Sequence, residues 1–165
     1  MRIALAADGT RGDVHPLVAL GVALRAAGHD VLLCCPPDFA DAARAHGLEH
    51  RSVGRSAREY LTRQAHVMHG GPLGVLREVE RYGRTILEAQ VAALPDAVRG
   101  ADLVVGAGVQ VAARSAAELC GAAYRYVLYC PAILPSSEHA PAFLPLAALP
   151  PRLNRASWSL LRGGF

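Results

Sequence analysis

Asp13 is the acidic side chain of this sequence that is best placed to do chemistry. It lies in the polar stretch Asp8-Gly-Thr-Arg-Gly-Asp-Val-His-Pro16, which separates a hydrophobic segment, residues 2–7, from a helical pattern at residues 17–27. A carboxylate beside a helix start can accept a proton from a bound hydroxyl, or it can cap the backbone N–H groups of the helix. The local sequence leaves both interpretations of Asp13 open.

The sequence offers no pattern that would bind a metal ion or a redox cofactor. Gly9 and Gly12 lack the G-x-G-x-x-G spacing of a dinucleotide site, and residues 34–36 provide no acid for a ribose. A chain without lysine cannot form a G-x-x-x-x-G-K-[ST] phosphate loop. His66 and His69 have a spacing that suits a metal on a helix, but a Gly-Gly-Pro sequence follows directly and no third ligand is evident. We therefore expect no metal and no cofactor.

Composition favours a compact cytoplasmic domain. The chain has 165 residues, 52% hydrophobic and 19% charged, and no apolar run reaches the roughly 18 residues of a membrane span. All 17 basic residues are arginines, scattered along the chain with few aromatic neighbours, which argues against a nucleic-acid surface. The four cysteines include no C-x-x-C pair, and all are expected to be reduced. Cys34 and Cys35 are adjacent on a predicted strand, which makes them candidate core residues.

Alternating strand and helix patterns must position these residues. Short, nearly continuous apolar runs, typical of strands buried on both faces, occur at residues 2–7, 30–35, 49–53, 102–106 and 124–130. Helical patterns occur at residues 17–27, 39–46, 73–98 and 109–120. The alternation predicts an α/β fold, a doubly wound parallel sheet whose ligand crevice lies at the carboxyl ends of the strands.

Two segments depart from this alternation. Residues 54–72 have no clean period, which predicts a surface loop with a short helix on the ligand side of the sheet. After the last predicted strand, six prolines forbid a continuous helix and predict an extended surface loop before a final helix at residues 152–162. Trp158 and Leu161 give that helix an apolar surface, which we expect to pack outside the chain and to cause self-association.

Three stretches resemble the N-terminal part of family 1 glycosyltransferases of the GT-B fold, in particular bacterial enzymes that decorate antibiotic aglycones. The most specific is Met1-Arg-Ile-Ala-Leu-Ala-Ala-Asp-Gly-Thr-Arg-Gly-Asp-Val-His-Pro-Leu-Val-Ala-Leu20, followed by Ala26-Ala-Gly-His-Asp-Val31. The others fall within residues 102–121 and 124–141. The resemblance implies two Rossmann-like domains, one binding the acceptor and a C-terminal one binding the nucleotide sugar. Residues 1–165 are then an incomplete acceptor-binding domain without the nucleotide-sugar domain.

The resemblance assigns the catalytic role to Asp13. Many relatives have G-H-V-x-P where this chain has Gly12-Asp-Val-His-Pro16, and their histidine is the base that deprotonates the acceptor hydroxyl. The carboxylate that orients such a histidine follows the fourth strand, where this chain has Gly106-Ala-Gly108. Because an aspartate base does not become cationic and needs no orienting acid, the two departures compensate for one another.

Further candidates for acceptor binding share a place near the ligand edge of the sheet. They are Gly12, His15, His66, Ser136, Ser137 and His139. Gly12 would let the backbone approach the acceptor, or it would only form a tight turn, and His15 would contact the acceptor or be solvated. The two serines and His139 follow the fifth strand, where the family lines its acceptor pocket. A polar surface loop without a binding role would have the same composition.

The expected function is acceptor binding in an inverting, metal-independent glycosyltransferase. Such an enzyme moves a hexose or deoxyhexose from a nucleotide-sugar donor to a hydroxyl of a natural-product aglycone, with Asp13 as general base. The expected partners are the small-molecule aglycone and a donor-binding domain in cis or in trans, which binds the nucleotide sugar as co-substrate. The isolated chain should lack turnover. The alternative is a stand-alone acceptor-binding protein, or one subunit of a split transferase without catalysis of its own.

Overall fold

A five-stranded parallel sheet is the framework of Met1–Val127, the first of two units into which the chain divides. The second unit is Leu128–Phe165. The computed structural model describes residues 1–64, 72–131, 134–141 and 149–162. The strands are β1 (Arg2–Asp8), β2 (Asp30–Cys35), β3 (Glu49–Ser52), β4 (Leu103–Gly108) and β5 (Ala123–Val127). The α/β parallel sheet predicted from the apolar runs is confirmed.

The order of the strands creates a crevice beside β1. The sheet has the order β3-β2-β1-β4-β5, so the chain passes from one side of β1 to the other. Between β1 and β4, the parallel register pairs Ala7 with Ala107 and Asp8 with Gly108. The carboxyl ends of these two strands therefore meet at the topological switch point, where open α/β sheets bind their ligands.

Helices alternate with the strands. In the first unit they are α1 (Arg11–Ala26), a 3-10 turn (Pro37–Phe39), α2 (Ala40–Ala45), α3 (Ala57–Gln64), α4 (Pro72–Ala97) and α5 (Ala113–Leu119). Helix α3 is the short helix expected after β3, whereas His66 and His69 lie outside the described residues. Among the described helices, none combines the length and the apolar character of a membrane span.

Helix α1 begins at Arg11. The hydrophobic pattern indicates a later start, at Leu17. The residue before the helix is Thr10, whose backbone N–H donates to the Asp13 carboxylate at 2.8 Å. This bond satisfies a backbone donor that a helix start otherwise leaves unpaired, so the helix extends back through Pro16. Asp13 therefore lies in the first turn of α1 and not in the loop before it.

Two other boundaries differ from the sequence expectation by three residues or more, and both have local causes. Helix α5 begins at Ala113 and not at residue 109, because the backbone N–H groups of Val111 and Ala112 donate to the side chain of Gln90. Strand β5 ends at Val127 and not at residue 130. Its pairing with β4 ends where Ala107 faces Val127, so no partner strand continues the hydrogen bonding.

Close packing of small residues holds the first unit together. On α1, a Cβ added at Gly21 would lie 3.1 Å from a methyl carbon of Leu5 and 3.0 Å from one of Leu48, so the helix lies directly on the sheet. Cys34 and Cys35 are fully buried, and burial raises the pKa of both thiols to about 12. Their expected role as small core residues is confirmed, and all four cysteines are free thiols.

In the second unit, helix α6 (Pro151–Arg162) is fastened to the preceding loop through Trp158. The indole N–H donates to the His139 carbonyl at 2.9 Å, and the two rings meet edge-to-face with centroids 5.9 Å apart. The buried amide of Asn154 donates to the Ser137 carbonyl at 2.8 Å. The expectation that Trp158 packs outside the chain is wrong, because this residue is only 9% exposed and its indole contacts His139 of the same unit. The side chain of Leu161 lies outside the described part.

Candidate functional site

Asp13 lies at the switch point between β1 and β4, on the first turn of α1. Its side chain is half-buried, and one carboxylate oxygen, Oδ2, accepts the Thr10 backbone N–H at 2.8 Å and the Thr10 hydroxyl at 3.2 Å. Asp13 therefore does cap the helix, from inside its first turn. Capping fixes the orientation of the carboxylate and leaves the group able to accept a proton, so the two interpretations of Asp13 are compatible.

Two glycines enclose the Asp13 carboxylate. Gly9 has a φ of +126°, and a Cβ added there would collide with Asp13 Oδ2. Gly108 has a φ of +64°, and an added Cβ would lie 3.1 Å from both Asp13 Oδ1 and the carbonyl oxygen of Asp8. Gly108, at the end of β4, thus lets the backbone pass close to the carboxylate.

Asp8 is a second carboxyl group of the site, and the sequence reasoning missed it. It ends β1, is only 2% exposed and accepts a hydrogen bond from Gln90 Nε2 at 3.0 Å. Burial raises the pKa of Asp8 above its ordinary value, the bonds from Gln90 and from the Gly9 N–H oppose this shift, and the charge of Asp13 adds to it. The available signal was an acid ending an apolar strand at the ligand edge.

Gln90 on α4 ties Asp8 to the loop that follows β4. This side chain is fully buried, and its Nε2 also donates to the Val109 carbonyl at 2.8 Å. Its Oε1 accepts the N–H groups of Val111 and Ala112 at 3.0 and 3.2 Å. A lone glutamine within an amphipathic helix pattern gave no sign of this role.

Burial and the negative charge of the site raise the pKa of two tyrosine hydroxyls. Burial raises the pKa of Tyr82, and the charges of Asp8 and Asp13 raise it further. Burial also raises the pKa of Tyr126, with a smaller contribution from Asp13. The Tyr126 hydroxyl donates to the Gly108 carbonyl at 2.7 Å. The site is thus an acidic centre edged by neutral phenols, which is suited to holding a polar, uncharged group near Asp13.

A cavity of about 460 Å³ opens beside the first turn of α1. It is lined by Thr10, Arg11, His15, Asp38, Phe39, Ala42, Ala57, Arg58 and Thr62. The His15 ring meets the Phe39 ring edge-to-face, with centroids 6.0 Å apart. Gly12 is exposed, and the nearest atom to a Cβ added there is the Thr10 hydroxyl at 3.9 Å, so the backbone is open to a ligand at this point.

The remaining predicted residues belong to the second unit or fall outside the described residues. Ser136 and Ser137 line a cavity of about 530 Å³ in the second unit, together with Trp158. His139 packs on Trp158 there. His66 falls outside the described residues. Among the residues that the structure does describe, no group of three His, Cys, Asp or Glu side chains is arranged to hold a metal ion.

Comparison with known proteins shows that the chain is similar to glycosyltransferases. The model of the glycosyltransferase family 28 N-terminal domain matches residues 3–124. Glycosyltransferase GtfE from Amycolatopsis orientalis is 41% identical over 144 residues, covering 86% of this chain and 34% of that protein. Vancomycin aglycone glucosyltransferase from the same organism is 39% identical over the same coverage. The chain thus spans about a third of the length of these relatives.

Solved structures agree with the fold. The crystal structure of glycosyltransferase SnogD from Streptomyces nogalater covers 99% of this chain and 40% of its own, with a TM-score of 0.60 at 22% identity. Glycosyltransferase VinC, solved in complex with DTDP, covers 75% of this chain and 33% of its own, with a TM-score of 0.53 at 26% identity. The resemblance to antibiotic glycosyltransferases of the GT-B fold is confirmed. The chain belongs to the glycosyltransferase family 28 N-terminal domain family.

Proposed function

We propose that this chain is the acceptor-binding half of an inverting glycosyltransferase that uses Asp13 as its general base. The observation that carries the proposal is the Asp13 carboxylate at the switch point, half-buried and oriented by two hydrogen bonds from Thr10. The similarity to glycosyltransferases of Amycolatopsis supports a natural-product aglycone as the acceptor. The nucleotide sugar would be bound by a second domain, as expected for a chain that spans about a third of its relatives.

In this mechanism, Asp13 accepts the proton of an acceptor hydroxyl while the hydroxyl oxygen attacks the anomeric carbon of the sugar. The new bond joins that oxygen to the anomeric carbon, and the bond to the nucleoside diphosphate breaks on the opposite face, so the configuration inverts. Thr10 holds the carboxylate in place, and the backbone at Gly9 and Gly108 keeps it from turning away. Positioning of this kind lowers the barrier because the base and the hydroxyl meet already aligned.

The test is Asp13→Asn in a protein that joins this chain to its donor-binding domain. The side-chain oxygen of asparagine can still accept the Thr10 N–H, but asparagine cannot take up the proton. We expect kcat to fall by about two to four orders of magnitude, because that is the usual cost of removing a general base. Acceptor affinity and thermal stability should stay close to those of the wild type.

Asp41→Asn is the matched control. Asp41 is an exposed acid on α2 that pairs with Arg44, so its neutralisation should leave kcat unchanged. A near-normal kcat for Asp13→Asn, with the acceptor still bound, would reduce Asp13 to a helix cap and refute the proposed base. In that case Asp13→Ala should lose only about 1 kcal/mol of stability, the typical value of a cap.

A further inference from the structure

Two arginines line the cavity beside α1. Arg11 begins α1 and Arg58 lies on α3, and both side chains are exposed. Within the described part of the chain, neither guanidinium makes a hydrogen bond or an ion pair. Other arginines are neutralised by an acid three or four residues away, in the pairs Arg44–Asp41, Arg84–Glu80, Arg99–Asp96 and Arg114–Glu118.

Among the described residues that line this cavity, the one acid is Asp38, and its carboxylate already has hydrogen-bond partners. Asp38 accepts the Ser56 hydroxyl at 2.7 Å and the Ala57 N–H at 2.8 Å, through its two different carboxylate oxygens. These bonds direct the Asp38 carboxylate to the start of α3. The two guanidiniums are therefore available to a ligand.

The rest of the cavity wall is largely apolar. Phe39, Ala42 and Ala57 contribute ring and methyl surface, and His15 contacts the edge of Phe39. An aromatic or aliphatic body with one anionic group would match this combination, because the body removes apolar surface from water while the anion pairs with the arginines.

We propose that the acceptor is an acidic aglycone whose carboxylate is bound by Arg11 and Arg58. This inference rests on the proposed function, since it names the class of acceptor. Arginine suits the role because its planar fork of donors matches a carboxylate and carries a permanent charge. A phosphate of the donor offers the same oxyanion chemistry, but it would make no use of the apolar wall.

The experiment is a binding titration on the intact protein, followed by NMR, with 4-hydroxybenzoate and 4-hydroxybenzamide as matched probes. The acid should bind at least about tenfold more tightly than the amide, because it alone can form charge-assisted bonds. Arg11→Gln and Arg58→Gln should each weaken binding of the acid about tenfold and leave the amide unchanged. Both side chains are exposed, so the variants should keep the fold. The control is Arg44→Gln, because Arg44 is an exposed arginine on the neighbouring helix α2. This variant should bind both probes as the wild type does.

Several results would overturn the acidic acceptor. One is equal affinity of the wild type for acid and amide, and another is a preference for the acid that survives in the Arg11→Gln, Arg58→Gln double variant. A third is loss of inorganic pyrophosphate binding in the variants while 4-hydroxybenzoate still binds, which would assign the arginines to the donor phosphates.

A transfer assay with a protein that joins this chain to its donor-binding domain separates this proposal from the proposed function. With aglycones supplied as free acids and as methyl esters, sugar transfer to the acids alone supports both proposals. Equal transfer to both forms overturns the carboxylate site and keeps the transferase. A preference for 4-hydroxybenzoate in the titration, with no transfer to any acceptor, supports the carboxylate site and overturns the transferase.

Discussion

Gln90→Glu should convert a stabilising buried contact into one that destabilises the protein as pH rises. In the native site, Gln90 Nε2 donates to Asp8 Oδ2 at 3.0 Å and to the Val109 carbonyl at 2.8 Å. A glutamate has no donor there, so three acceptor oxygens would meet. Two ionised carboxylates about 4 Å apart repel by about 4 kcal/mol at an effective dielectric constant of 20.

The site can avoid this repulsion by keeping one proton, which would then replace the missing donor. Holding a proton at pH 7 on a group whose unfolded pKa is about 4.3 costs about 4 kcal/mol, so both routes give a similar loss of stability. The native variant would bind a proton that the unfolded chain releases, so its stability should fall as pH rises. Each pH unit between about 5 and 7 should change the difference from wild type by about 1.4 kcal/mol.

The assay is urea denaturation followed by circular dichroism at pH 5 and pH 7. Adding Asp8→Asn to Gln90→Glu should restore part of the stability, because the new amide can donate to the glutamate carboxylate, whereas the Val109 carbonyl still lacks its donor. Gln110→Leu is the control for removing a buried amide, since Gln110 is 6% exposed and neither of its amide atoms has a partner among the described residues. This change should be neutral or stabilising. A loss for Gln90→Glu that is equal at both pH values, or that Asp8→Asn does not reverse, would refute the reasoning.

Two further predictions concern the backbone and the donor. Gly108→Ala should lose about 1–2 kcal/mol of stability in denaturant titration from its left-handed backbone alone, and more from contact with Asp13 Oδ1. The control is Gly121→Ala, which measures the backbone cost alone because Gly121 has a φ of +69° and nothing lies within 4 Å of the added Cβ. If the two variants lose the same stability, Gly108 is not crowded. The isolated chain should give no saturable heat with a nucleotide sugar in calorimetry, because the donor site is expected in another domain, and tight binding would contradict the half-enzyme proposal.

The fold could be predicted from the sequence because strands buried on both faces consist of continuous runs of apolar residues. The run at residues 30–35 and the observed strand β2 coincide, and Cys34 and Cys35 are buried as expected. The place of Asp13 at a helix start could also be predicted, because an acid beside a helix start is a local pattern. What the pattern could not give was the start of α1, which depends on a bond between Thr10 and Asp13 and not on hydrophobic spacing.

The Asp8–Gln90 pair could not be predicted for a different reason. The two residues are separated by 82 positions and meet only because α4 packs on the sheet at the switch point. A polar contact between distant elements has no period and no spacing along the chain. The same holds for Arg11 and Arg58, which line one cavity from α1 and α3.

The enclosure of Asp13 by Thr10, Gly9 and Gly108 also bears on the entropy of binding. A free aspartate side chain has several rotamers, and a ligand that requires one of them must bear the cost of freezing the others. Here the hydrogen bonds from Thr10 and the two close backbone segments select a conformation when the protein folds. A ligand that binds this carboxylate therefore contacts a side chain that is already ordered. Its affinity and its angle of approach then depend on the conformational entropy of the ligand itself, and not on that of the protein.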